Sequence, residues 1–245
     1  MEGSMNVEEL KKRYLLIEKD AYKEAGASNN GRLERNGHFY HVVQRGRNRE
    51  NVYDDRSAKY RHDLLCRLCT KYGVGVVFSV AMPNHTHDLL YADDWRSISK
   101  VVQILNSQVS RFIRRSNPTR YKVDGRVFDE RPVYVAVKNM RHLSNIGKYI
   151  YENFAQFERQ GKFVPFSCFF GMRKGYVPSP PYRKDLYEFI YGMDVQQLCV
   201  FFEGNSAKDV ERHVEARFSS WTPSDFETFF KINPSVPWLS DDELI

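Results

Sequence analysis

Residues 81–90 read AMPNHTHDLL and join two short apolar runs, 74–80 and 89–91, each of which is predicted as a β-strand. The Met-Pro-Asn segment is a predicted turn, because proline fixes φ and asparagine tolerates tight backbone angles. His85 and His87 lie two positions apart on the second strand, so both imidazoles project from one face. Such a pair can supply two ligands of a metal site, although taken alone it is more often a pair of hydrogen-bonded histidines on a half-exposed strand.

Composition limits the class of protein. The 245 residues are enough for one large domain, or for a core domain with an appendage. With 42% hydrophobic and 14% aromatic residues the chain can build a core, which argues against wholesale disorder. The net charge of +6 suits a polyanionic partner, although many soluble proteins are as basic. We recognise no membrane-spanning run and no signal peptide, and therefore expect a cytoplasmic protein without a membrane partner.

The four cysteines do not form the pattern of a structural zinc site. Cys66 and Cys69 are a C-x-x-C pair, but they lie in an apolar stripe at helical spacing. A second C-x-x-C is missing, because Cys168 and Cys199 are isolated in the sequence. We therefore expect Cys66 and Cys69 to be buried thiols on a helix.

Hydrophobic periodicity predicts an α+β domain. The predicted elements are strands at 38–45, 74–80, 85–91 and 133–137, helices at 56–72, 95–115 and 140–160, and a loop over 117–131. This β-α-β-β-α-β-α order is typical of the ferredoxin-like split βαβ fold. We expect an antiparallel sheet with its helices on one face.

Two further regions flank this domain. An amphipathic helix over 7–25 is predicted within an N-terminal helical extension, residues 1–35. After about residue 165 the pattern changes to a Gly- and Pro-containing linker, followed by helical stretches near 183–191, 194–203 and 206–218. We therefore predict a main domain over 36–170 and a linker with a small helical C-terminal region over 171–245.

A second group of polar residues lies on the last helix of the main domain. Tyr149 and Asn153 are one turn apart and share a face, with Glu152 and Gln156 on its flanks, whereas Tyr151 points roughly opposite. A phenol and an amide one turn apart can address the same metal-bound phosphate, the amide as a third ligand and the phenol as a nucleophile. The ordinary alternative is a core aromatic at Tyr149 and a surface amide at Asn153.

The segment 111–131 is basic, with seven Arg and Lys residues against three acidic ones. Its cations could follow a phosphate backbone while the interleaved aromatic side chains stack on unpaired bases. A solvated charged face is an equally ordinary explanation. Together with the basic turn after the first strand, the segment supplies the candidate DNA contacts, which are Arg45, Arg47, Arg49, Arg111, Arg114, Arg115, Arg120, Tyr121, Lys122 and Arg126.

Four motifs in this order resemble the REP-associated tyrosine transposases, which belong to the single-tyrosine HUH nucleases together with related insertion-sequence transposases. The motifs are YHVVQRG at 40–46, MPNHTH at 82–87, GRVF at 125–128 and Tyr149-Ile150-x-x-Asn153. The match runs from about residue 38 to 170, and its MPNHTH segment is highly specific. The resemblance makes 36–170 a catalytic domain. It implies that His85 and His87 bind a metal ion, that Asn153 completes the protein ligands and that Tyr149 is the nucleophile.

The chain departs from the family pattern at two positions. Thr86 stands where the family usually has a hydrophobic residue, but threonine is β-branched and remains compatible with a strand. Phe154 follows Asn153 where the family commonly has proline, so we expect the helix to run on and to place Asn153 differently. Glu152 and Gln156 therefore stay open as alternatives for the third ligand.

The resemblance also implies a reaction. Tyr149 would attack single-stranded DNA next to a hairpin, giving a 5′-phosphotyrosine and a free 3′-hydroxyl, and the retained bond energy would allow rejoining. A divalent cation, Mg²⁺ or Mn²⁺, would polarise the phosphate, and two imidazoles favour Mn²⁺. The competing interpretations are a catalytically silent hairpin-binding module and a rolling-circle replication or conjugation nuclease. For the assembly we expect a monomer or a homodimer.

Overall fold

The computed structural model describes residues 39–121, 125–129, 131–137, 140–161, 166–168 and 181–219. The predicted N-terminal helix, Lys122 and the predicted linker lie outside these ranges. The strands are β1 (Phe39–Arg45), β2 (Gly75–Ala81), β3 (His85–Tyr91), β4 (Val133–Ala136) and β5 (Phe166–Ser167). The helices are α1 (Asp55–Lys71), α2 (Trp95–Ser116), α3 (Met140–Arg159), α4 (Lys184–Tyr191), α5 (Val195–Gly204) and α6 (Ala207–Ser219). The predicted order of elements is therefore confirmed.

The strands form one antiparallel sheet in the order β4-β1-β3-β2-β5. The two strands that carry the YHVVQRG and MPNHTH motifs, β1 and β3, are neighbours at its centre. Their register pairs Val43 with His87 and Arg45 with His85. An edge position for the fourth strand and a central position for the first agree with the split βαβ arrangement, and the predicted ferredoxin-like fold class is confirmed.

Local signals set the ends of the first two helices. Asp54 caps α1, because its carboxylate accepts from the Ser57 backbone N–H at 2.8 Å while the Ser57 hydroxyl accepts from the Asp54 N–H at 2.9 Å. After α1 the chain turns at Gly73, whose φ of +63° suits glycine. Asp94 caps α2, because its carboxylate accepts from the Arg96 backbone N–H. In the described ranges, no helix is long and apolar enough to cross a membrane.

The helices cover both faces of the sheet, so the prediction that they lie on one face was wrong. On one face, Arg61 of α1 pairs with Asp88, and Asn106 of α2 donates to the Gln44 side chain at 2.7 Å. On the other face, α3 places Tyr149 against His87. The reason is connectivity: α1 and α2 are crossovers between strands and share one side because crossovers have a fixed hand, whereas α3 follows the last crossover strand and covers the other side.

The C-terminal helices α4 to α6 confirm the predicted helical stretches and pack onto the α3 face of the sheet. The Tyr187 hydroxyl donates to the Val77 carbonyl, and the Tyr187 ring stacks on Phe78 with centroids 5.2 Å apart. Gly147 of α3 is needed for close approach, because a Cβ there would lie 2.4 Å from the Tyr191 hydroxyl. These helices therefore extend the core of the sheet and support the back of α3.

The cysteines have no metal or disulfide partner among the described residues. All four are free thiols, and Cys69 is buried while Cys66 is half-buried on α1. Burial raises the pKa of the Cys66 thiol to about 11, so it stays protonated at neutral pH. The expectation of buried thiols on a helix is confirmed for Cys69, whereas Cys66 is only half-buried.

Candidate active site

The Met-Pro-Asn turn sets the position at which β3 begins. The Met82 N–H donates to the His85 carbonyl at 2.8 Å, which closes the turn. From outside the turn, the backbone N–H groups of Val52 and Tyr53 both donate to the Pro83 carbonyl, at 2.8 and 2.9 Å. These bonds hold the turn on both sides and so fix where the strand begins at His85.

The Asn84 side chain fixes the tautomer of His85. The Asn84 Nδ2 donates to the Arg49 carbonyl at 3.3 Å, which identifies the other amide atom as the oxygen. That oxygen lies 2.6 Å from His85 Nδ1, so the Nδ1–H donates and Nε2 keeps its lone pair. Nε2 of His85 is therefore available as a metal ligand.

His87 is the more deeply buried of the pair, with 2% of its surface exposed. Its ring lies across that of His85 with centroids 4.8 Å apart, as expected for two residues on one strand face. Its Nδ1 shares a hydrogen bond of 2.9 Å with Nε2 of His41, a β1 residue that the sequence did not single out. Its Nε2 is buried and has no hydrogen-bond partner among the described residues. A buried imidazole nitrogen without a partner fits a metal ligand, because burial without any partner is costly.

The electrostatics keep all three imidazoles neutral at pH 7. Burial, with the neighbouring His41, His85 and Arg45, lowers the pKa of His87 to about 2. Burial and His142 lower the pKa of His41 to about 4. Burial and Arg45 also lower the pKa of His85. Since a metal binds the neutral ring, these shifts leave the histidines in the form that a cation needs.

The helix α3 presents Tyr149 to the histidines and turns Tyr151 away from them, as the helical spacing predicted. The Tyr149 ring meets His87 edge-on with centroids 5.4 Å apart and lies 6.0 Å from His41. It is 48% exposed, whereas Tyr151 is 1% exposed and packs near Phe202. Of these two tyrosines, only Tyr149 is open to a substrate beside the histidines.

The candidates for a third ligand lie along the same helix. The Asn153 Nδ2 donates to the Tyr149 carbonyl at 2.9 Å. Glu152 is exposed and lies 3.2 Å from Lys148 Nζ, and Gln156 is exposed. Across the described ranges, no three His, Cys, Asp or Glu side chains are placed to hold one ion. The helix continues to Arg159, as the absence of proline after Asn153 suggested.

A buried polar network stands behind the two histidines, on the opposite face of β3. The Asp88 carboxylate pairs with Arg61 and accepts from the Ser79 hydroxyl at 2.7 Å. Arg61 also donates to Thr86 at 3.3 Å, which gives the threonine of the His-Thr-His segment a polar partner. These bonds tie the histidine strand to α1 and β2, and no sequence pattern pointed to them.

Two of the segments that carry predicted DNA contacts meet where β1 ends and β3 begins. The Gly46 N–H donates to the Asn84 carbonyl at 2.7 Å, which joins the basic turn to the Met-Pro-Asn turn. The Arg47 N–H donates to the Val127 carbonyl at 3.0 Å, which brings the 125–129 segment alongside. These bonds place basic residues distant in sequence at the same end of the sheet as His85.

Their individual environments differ. Arg45 is paired with His85 across the sheet and therefore lies beside the candidate metal site. Arg120 is engaged by the Glu50 carboxylate at 2.6 Å and stands over the Tyr121 ring. The Arg111 guanidinium donates to the Ser107 hydroxyl at 3.1 Å. The remaining candidates in the described ranges are exposed or half-exposed, namely Arg47, Arg49, Arg114, Arg115 and Arg126.

Comparison with known proteins identifies a family for this arrangement. Residues 35–153 match the profile of the family described as IS200-like transposases. No curated protein matches the chain. Among solved structures, the chain is similar to a protein assigned as a transposase in Deinococcus radiodurans R1, with 21% identity, 50% of this chain and 86% of that chain covered, and a TM-score of 0.36.

A second similar structure is a REP-associated tyrosine transposase bound to a REP hairpin. It is 16% identical, with 58% of this chain and 82% of that chain covered, and its TM-score is 0.40. The matched profile spans β1 to α3 and includes the two histidines of β3 together with Tyr149 and Asn153. Residues 35–153, which carry these side chains, therefore match the IS200-like transposase family.

Proposed function

We propose that this chain is a single-tyrosine HUH nuclease that cleaves and rejoins single-stranded DNA next to hairpins, with a divalent metal ion and a 5′-phosphotyrosine intermediate. The observation that supports this most directly is the Tyr149 ring, which lies 5.4 Å from the His87 ring while 48% of its surface remains exposed. A nucleophile beside a metal ligand must be accessible in this way. The hairpin follows from the resemblance to REP-associated tyrosine transposases.

The proposed metal ligands are Nε2 of His85, Nε2 of His87 and the amide oxygen of Asn153, with Glu152 and Gln156 as the less favoured third ligands. When bound, Mg²⁺ or Mn²⁺ would withdraw charge from the scissile phosphate. Two nitrogen donors favour Mn²⁺ over Mg²⁺, which prefers oxygen. To act as a ligand, the Asn153 side chain would give up its hydrogen bond to the Tyr149 carbonyl, which costs little because that bond is exposed.

In the proposed reaction, Tyr149 supplies the oxygen that attacks phosphorus. The new Tyr–O–P bond forms while the P–O3′ bond of the DNA breaks, the phenol gives up its proton and the leaving 3′-oxygen takes one up. One phosphodiester replaces another, so a different 3′-hydroxyl can later attack the phosphotyrosine and restore a DNA strand without ATP. The neighbouring His41 and His87 rings hold the Tyr149 ring edge-on and restrict the direction in which its hydroxyl points.

Arg45 is the proposed contact to the reacting phosphate, since it pairs with His85 across the sheet. A guanidinium there would offset the negative charge that a phosphate brings to a partly buried site. Arg47, Arg49, Arg114, Arg115 and Arg126 would follow the flanking strand, and the Tyr121 ring could stack on a base.

A covalent-adduct assay tests the proposal. Labelled single-stranded DNA with a hairpin is incubated with the protein and Mn²⁺, and a denaturing gel separates free DNA from protein-linked DNA. We expect a protein-linked band, formed only with a divalent ion and only on DNA with an unpaired flank. Hairpin binding without any adduct would refute the nuclease and favour a silent hairpin-binding module.

The metal ligands can be tested separately by calorimetric titration with Mn²⁺. His85→Ala and His87→Ala should each lose measurable metal binding and adduct formation while the fold remains intact by circular dichroism. His213→Ala is the matched control, because His213 bonds the Tyr191 carbonyl in the C-terminal helices and should leave metal binding unchanged. Wild-type affinity in both strand variants would overturn the assignment of the ligands.

A further inference from the structure

The hydrogen bond between His41 and His87 can carry its proton in only two ways. Nδ1 of His87 and Nε2 of His41 are 2.9 Å apart, and the two rings are stacked with an interplanar angle of 22°. A hydrogen bond between two ring nitrogens needs one donor and one acceptor, so a single proton lies between them. If His41 holds it, His87 carries its own proton on Nε2. If His87 holds it on Nδ1, its Nε2 has a free lone pair.

The surroundings of His87 separate the two arrangements. In the first, an N–H at Nε2 would be buried with no acceptor among the described residues, and the position would be closed to a cation. In the second, Nε2 is a bare acceptor that a divalent cation satisfies. His85 offers a parallel, since its Nδ1–H donates to the Asn84 oxygen and leaves Nε2 free. In the second arrangement, each imidazole of the pair has an acceptor against its Nδ1.

We propose that His41 is a positioning residue that accepts the Nδ1–H of His87 and so holds Nε2 of His87 ready for a divalent cation. The inference builds on the proposed metal site and adds a residue to it. Its basis is the geometry of the His41–His87 contact. His41 is 8% exposed and its ring also meets the Tyr149 ring, so it has little freedom to turn away from His87. Metal ligands commonly depend on such acceptors, whose removal weakens metal affinity by about 10- to 100-fold.

Two substitutions of His41 distinguish its role as a hydrogen-bond acceptor from the effect of its volume on packing. His41→Gln can place an amide oxygen close to the position of Nε2, whereas His41→Leu fills similar space without any acceptor. In titration with Mn²⁺ we expect His41→Gln to bind within about 3-fold of the wild type and His41→Leu to bind about 10- to 100-fold more weakly. Equal affinity for the leucine variant and the wild type would overturn the proposal.

A second readout needs neither metal nor DNA. Nitrogen-15 NMR of the metal-free wild-type protein reports which ring nitrogen of His87 carries the proton. We expect the Nδ1–H tautomer in the wild type and in His41→Gln, and a shift towards Nε2–H in His41→Leu. An Nε2–H tautomer in the wild type would refute the proposal even if the leucine variant fails to fold. The nuclease proposal fails on a different result, namely the absence of a DNA adduct in the wild-type protein.

Discussion

Removing the hydroxyl oxygen from each of two neighbouring tyrosines in turn gives the sharpest test of the active site. Tyr149 and Tyr151 are two positions apart on α3, hence roughly 200° apart around its axis. Tyr149 is 48% exposed beside His87, whereas Tyr151 is 1% exposed in the core. Tyr149→Phe and Tyr151→Phe therefore make the same chemical change in opposite environments.

Tyr149→Phe should lose activity and keep its stability, whereas Tyr151→Phe should keep its activity and lose stability. Removing the hydroxyl of a half-exposed ring should change the free energy of unfolding of Tyr149→Phe by less than about 0.5 kcal/mol. Tyr151 is buried, so Tyr151→Phe should cost about 1 kcal/mol, which is typical of a substitution in the core. Tyr149→Phe should lose the DNA adduct completely and keep its DNA affinity, while Tyr151→Phe should form the adduct as the wild type does.

The assay combines urea unfolding of both variants with the denaturing-gel adduct assay and peptide mapping of the wild-type adduct. Mapping identifies the tyrosine that carries the DNA. A linkage at Tyr151, or substantial adduct formed by Tyr149→Phe, would refute both the helix geometry and the assignment of the nucleophile. If Tyr149→Phe lost DNA binding in addition to the adduct, the substitution would have disturbed the position of the ring and would not report on the oxygen alone.

Three further predictions concern the flanking surface and the core. The double variant Arg114→Ala/Arg115→Ala should weaken DNA binding equally for all sequences, and the slope of log affinity against log salt concentration should flatten by about one unit for each phosphate that is no longer neutralised. Lys100→Ala, near the start of the same helix, is the control and should change neither. An unchanged slope in filter binding would show that the two arginines face solvent and do not contact DNA. Burial lowers the pKa of His62 to about 4, below its unfolded value of 6.5. The contribution of neutral His62 to the free energy of unfolding is therefore fully present above about pH 6.5 and is lost as the pH drops towards 4. Between pH 7 and 5 the wild type should therefore lose about 2 kcal/mol more than His62→Gln in urea unfolding, and parallel losses would contradict this. Asp88→Asn should cost about 3–5 kcal/mol, because it leaves a buried arginine uncompensated, and a cost below about 1 kcal/mol would show that the pair is not buried in solution.

The local parts of this protein follow from sequence periodicity. A period of two along β3 puts His85 and His87 on one face, and a period of 3.6 along α3 separates Tyr149 from Tyr151. Turn and cap residues mark the ends of the same elements, and the order of elements selects the split βαβ fold. Each element and its faces depend on residues a few positions apart, and the order of elements can be read along the chain, so the sequence alone was sufficient for these conclusions.

The remaining features depend on contacts between distant segments. His41 meets His87 across 46 positions, and the alternation of β1 alone could place it on a face without saying which strand it would pair with. The Asp88–Arg61 pair depends in the same way on how α1 packs on the sheet. The side of the sheet that α3 covers was also predicted wrongly. Strand register and helix packing are set by the whole core, and for that reason only the tertiary structure decided which residues surround the tyrosine and the two histidines.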